Sequence, residues 1–137
     1  MQSSNSSTGS SIDSTPLVYQ RTIDTRAPNA KIFLTETPKV SDISFDTAFS
    51  FGNEIRLIFD KRQRTQPSPF KTHEYISKVI HILSKQDFDE KRDYFILFGS
   101  VLQVCLVQFA ILTQWSSINV LMYSSSEEKY ANRRLEV

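Results

Sequence analysis

From Tyr94 to Ser126 the chain carries no charged residue. A stretch of that length without charge suits burial, either in a protein core or in a bilayer. Its first part, Tyr94 to Leu112, is apolar apart from Gly99, Ser100, Gln103 and Gln108. That length approaches the roughly 20 apolar residues that a membrane-spanning helix needs. Its β-branched and aromatic residues and its two glutamines argue instead for buried core elements, with a single span over 94–112 as the alternative. Ile118 to Tyr123, which follows, reads as a strand.

The remaining chain supplies enough other elements to surround such a core. At 137 residues it fits one domain, and a core of that size requires no metal or disulfide staple. Residues 1–16 are rich in Ser and Thr and predict a disordered N-terminal arm, because they offer too little apolar surface to offset the entropy of ordering. They also lack the apolar stretch of a secretory signal, which predicts cytosol or nucleus. Leu17–Ile23 and Lys31–Thr35 are strand-like segments between prolines, a pattern that suits edge strands or an arm lying on a surface. Ile43, Phe45, Thr47, Phe49 and Phe51 alternate with small or polar residues, which predicts a half-buried strand. The same parity runs on through Ile55, Leu57 and Phe59 beyond a turn or bend near Gly52.

Next comes a basic, proline-containing loop, Lys61 to Pro69. A helix is expected from about Thr72 to Gln86, because Ile76, Val79, Ile80 and Leu83 fall at i, i+3, i+4 and i+7. The charged segment Asp87–Asp93 reads as a solvated loop, and Glu127–Val137 as a charged C-terminal tail with a short helix. These elements together predict a small single α+β domain over 17–126. It would hold an antiparallel sheet and one main amphipathic helix, flanked by the 1–16 arm and the 127–137 tail.

Catalytic chemistry is hard to assemble from these residues. His73 and His81 lie eight apart, about 80° around a helix, so they do not share a metal as an i, i+4 pair would. Asp87, Asp89, Glu90 and Asp93 alternate with Phe88, Lys91 and Arg92 as a solvated linker would. Cys105 is the only cysteine, so no intrachain disulfide forms, and its apolar flanks predict a small buried hydrophobe. No phosphate loop, dinucleotide fingerprint or nucleophile elbow is present. The expectation is a binding or assembly protein with no catalytic residues, no cofactor and no metal.

The best binding candidates are cations. Lys61, Arg62, Arg64 and Lys71 lie close together in sequence and suit phosphate groups, of a membrane surface or of nucleic acid. The net charge of +1 gives no global field, so local clusters must do any electrostatic targeting.

From Ile43 to Val104 the order of features resembles the core of rhabdovirus matrix proteins. A long alternating strand ends in basic residues. Pro69-Phe70-Lys71-Thr72 then leads into an aliphatic helix. After a polar link comes the basic, aromatic and apolar run Lys91-Arg92-Asp93-Tyr94-Phe95-Ile96-Leu97-Phe98-Gly99-Ser100. The family's proline-rich budding motif has no counterpart, since Pro67-Ser68-Pro69-Phe70 does not fit it. The resemblance implies a viral structural protein that self-associates and links nucleoprotein or RNA to the inner face of an anionic membrane. Lys61, Arg62, Arg64 and Lys71 would be the contact charges, in virion and host cytoplasm. A small host-interacting regulator that binds nucleic acid or a protein partner is the alternative in a different class.

Overall fold

The structure, a computed structural model, describes residues 17–20, 29–36, 45–59 and 70–137. The predicted arm, 1–16, lies outside the described residues. Among the described residues six strands form one mixed sheet: β1 (Leu17–Gln20), β2 (Lys31–Leu34), β3 (Glu54–Leu57), β4 (Tyr94–Ile96), β5 (Ser117–Ser124) and β6 (Lys129–Glu136). Two helices, α1 (Thr72–Lys85) and α2 (Val101–Trp115), complete an α+β domain.

The strand order across the sheet is β1-β3-β2-β4-β5-β6. β2 pairs in parallel with β3 and β4, and β4 with β5. Only the outer pairs, β1 with β3 and β5 with β6, are antiparallel. The expected antiparallel sheet is therefore corrected at its centre. The cause is the second helix: β3-α1-β4-α2-β5 alternates strand and helix, and each helix carries the chain back to begin the next strand in the same direction.

Two apolar layers hold the sheet. On one side Phe33, Phe95, Ile118 and Val120 pack under Val79 and Leu83 of α1 and Val107 and Ile111 of α2. On the other, Ile32, Leu34, Ile55, Leu57, Ile96 and Leu121 meet Phe45, Ala48 and Phe49. Central β2 buries Ile32, Phe33 and Leu34 completely, one after another. That is how a strand covered on both faces reads, so the edge-strand expectation for Lys31–Thr35 does not hold.

The clearest predicted strand is not one. Asp46–Ser50 forms a single 3₁₀ turn, and the strand begins at Glu54. Phe45, Ala48 and Phe49 also satisfy an i, i+3, i+4 spacing, and that is the set the turn buries under the sheet. The tail expectation is corrected too, since Lys129–Glu136 is a full-length partner of β5 and not a helix. By contrast α1 ends where its periodicity predicts, with Gln86 at its C-cap.

Candidate functional site

Helix α2 decides what the uncharged stretch does. Ser100 stands at its N-cap, and its Oγ accepts from the Gln103 backbone N–H at 3.1 Å. Ser116 closes the far end in the left-handed conformation, φ 74°. Gln103, Val107, Ala110 and Ile111 face inward and are buried. At about 100° per residue, Val101, Cys105 and Phe109 fall on the opposite side. All three are exposed, Val101 at 80% and Phe109 at 56%. Cys105 is thus not the buried residue its flanks predict. The span over 94–112 is also corrected, because strand β4, a turn and helix α2 divide it. Among the described residues no helix is long and apolar enough to cross a membrane.

A groove opens beside α2 because β4 stops early. The Phe98 backbone N–H donates to Thr35 Oγ at 2.6 Å, and that hydroxyl donates back to the Phe98 carbonyl. Gln103 Nε2 donates to the Phe98 carbonyl at 3.2 Å and to Glu36 Oε1 at 2.8 Å. These bonds hold the segment after β4 against the end of β2. Strand β5 runs on to Ser124, and beyond Val120 it pairs only with β6 among the described residues. The resulting cavity has a volume of about 800 Å³. Leu97, Val104, Leu121, Met122, Tyr130 and Leu135 give it an apolar lining. Among the described residues, Arg133 is the only charged one in that lining.

Arg133 and Arg134 are adjacent but fare differently. Arg134 donates to Glu136 Oε1 at 2.7 Å, to Asn119 Oδ1 at 3.0 Å and to Ser117 Oγ at 3.0 Å. Arg133, on the opposite face of β6, pairs with Val120 through the strand ladder, but its side chain has no hydrogen bond or ion pair among the described residues. Buried Tyr130 packs edge-on to Tyr123 at 5.1 Å, and burial pushes its phenol above the usual value, with Tyr123 adding to the shift.

Lys71 is exposed and stands at the N-cap of α1. Lys61, Arg62 and Arg64 lie outside the described residues, so the cation cluster is represented by Lys71 alone. His73 and His81 are both exposed on α1. Among the described residues no three His, Cys, Asp or Glu side chains gather to hold a metal ion.

The chain matches no protein-family model and no curated protein.

Asp93 departs from the solvated-linker reading. It is fully buried and accepts from the Lys31 and Asp89 backbone N–H groups, each at 2.9 Å, and from Arg92. That hydrogen bond, reinforced by the charges of Asp93, Asp89 and Asp87, outweighs partial burial and raises the Arg92 pKa. Sequence reasoning missed α2, although Ser100-x-x-Gln103 before an apolar run is a capping-box pattern. In the sequence Arg133 stands only as part of a weaker basic cluster with Lys129 and Arg134; its place on the groove depends on which strands stand beside β6.

Proposed function

We propose that this chain is a structural, self-associating protein of the matrix-like kind, assembling through the outward face of α2. One observation carries the reading: a fifteen-residue helix without a charged side chain leaves Val101, Cys105 and Phe109 in solvent. A helix that is apolar all round is normally buried, so this face calls for a cover. A second copy is the simplest one, because a two-fold contact sets the same uncharged stripe against itself.

Sedimentation at micromolar concentration tests this. The wild-type chain is expected to be a dimer or larger, and Phe109→Glu to be a monomer with unchanged helical content. A short bis-maleimide should join two chains through Cys105. A wild-type chain that stays monomeric, or a Phe109→Glu chain that still associates, removes the reading.

A peripheral membrane contact is the second part of the proposal. Phe70 is 93% exposed beside exposed Lys71, at the end of the segment that carries Lys61, Arg62 and Arg64. An apolar side chain among cations is the combination that seats on an anionic bilayer, each cation contributing about 1 kcal/mol. Through this surface the protein would link nucleoprotein or RNA to the membrane. Flotation with anionic vesicles should fall sharply when the four cations become Ala, and Phe70→Ala should weaken it further. Unchanged flotation of the four-Ala chain would argue that these residues do not touch lipid.

A further inference from the structure

We propose that the groove between α2 and the β5–β6 hairpin binds a long-chain fatty acid, with Arg133 holding the carboxylate. The proposal stands apart from self-association, whose stripe of Val101, Cys105 and Phe109 is not part of the groove lining.

Size is the first argument. A cavity of about 800 Å³ falls among clefts that bury most of a small ligand, about 300–1,000 Å³. Lining chemistry is the second. Leu97, Val104, Leu121 and Met122 offer aliphatic walls, and Met122, 57% exposed, is flexible enough to follow an alkyl chain. Among the described residues, the lining holds no polar side chain apart from Arg133, Gln108 and the hydroxyls of Tyr123 and Tyr130, and no carboxylate. A rigid polar ligand would need more convergent hydrogen-bonding groups than these.

Charge is the third argument and selects the head group. Arg133 brings a guanidinium to an apolar groove and has no counter-ion among the described residues. Arg134 next to it is already committed to Glu136, Asn119 and Ser117. A guanidinium donates two parallel N–H bonds to one carboxylate, and a positive charge disfavours a cationic head. The notch above Ile96 is what makes room for the chain. The recorded β4–β5 pairing is Phe95 with Val120, and Phe98 beyond it is bonded to Thr35 and Gln103.

Calorimetric titration of the full chain with decanoate, dodecanoate and tetradecanoate, each below its micelle concentration, tests the inference. One saturable site per chain is expected, and affinity should rise about fourfold for each added methylene. Arg133→Gln, a change at an exposed position, should weaken binding by about tenfold or more. Val104→Trp fills the groove and should abolish binding while the circular dichroism spectrum is unchanged. An alkyl trimethylammonium of equal length should bind much more weakly than the carboxylate. The inference is overturned if no carboxylate saturates the chain. It is equally overturned if Arg133→Gln binds like wild type, if the cationic amphiphile binds as tightly as the carboxylate, or if a folded Val104→Trp chain keeps full affinity. Should Val104→Trp fail to fold, the Arg133→Gln titration decides.

Discussion

Each oxygen of the Asp93 carboxylate accepts one backbone N–H and one nitrogen of Arg92, which joins the start of β2 to the loop before β4. Asp93→Asn should cost nearly as much stability as Asp93→Ala, about 2–4 kcal/mol by urea unfolding. An amide cannot accept at both ends, and one buried N–H would be left facing an NH₂ group. Tyr75 presents the opposite case. Its ring packs on Phe59 at 5.3 Å, while its buried hydroxyl has no hydrogen-bond partner among the described residues. Burial, and then the Glu36 carboxylate, push its phenol far above the usual value. A raised folded-state pKa means that this residue's contribution is whole below pH 10 and is lost as pH climbs toward the folded-state value. Tyr75→Phe should therefore be neutral or stabilising by up to about 1 kcal/mol at neutral pH, and unfolding midpoints above pH 10 should fall less steeply than in wild type. The isolated hydroxyl could not be read from the chain, because Tyr75 sits on the helix stripe like any half-polar core residue.

Helix α1 was legible almost to its last residue, because its apolar stripe alternates with Lys78, His81 and Lys85. Helix α2 was not, because a helix without a polar face has no period to read. Its ends are the better signal. Ser100→Ala should cost about 1 kcal/mol by removing the hydroxyl that accepts the Gln103 N–H. At the other end Ser116 holds a left-handed conformation, φ 74°, that suits glycine. Ser116→Gly should raise thermal stability by about 0.5–1 kcal/mol, readable as a shift in the melting midpoint. The 3₁₀ turn at Asp46–Ser50 taught a related lesson. Phe45, Ala48 and Phe49 fit a helical spacing as well as their neighbours fit a strand, and five or six residues do not separate the two periods.

At the scale of the molecule, the sheet is closed on one side by a strand that reads as a charged tail. β6 pairs with β5 along its whole length and buries Tyr130 against the layer of Ile96 and Leu121. Removing residues 129–137 should cost more than about 3 kcal/mol and bare the edge of β5, so the truncated chain is expected to aggregate on light scattering. The sequence alone determined the α+β class, helix α1 and the strand at Ile118–Tyr123, because local periodicity is a property of the chain itself. Only the tertiary structure decided the rest. It set β2 at the centre of the sheet, turned the middle pairings parallel, and put Cys105 outside and Asp93 inside. It also placed Arg133 on a groove and Arg134 in a hydrogen-bonded cluster. Those outcomes depend on which segments lie side by side. A residue's neighbours across a sheet are chosen by the path of the whole chain, and nothing in Arg133 or Arg134 records that path.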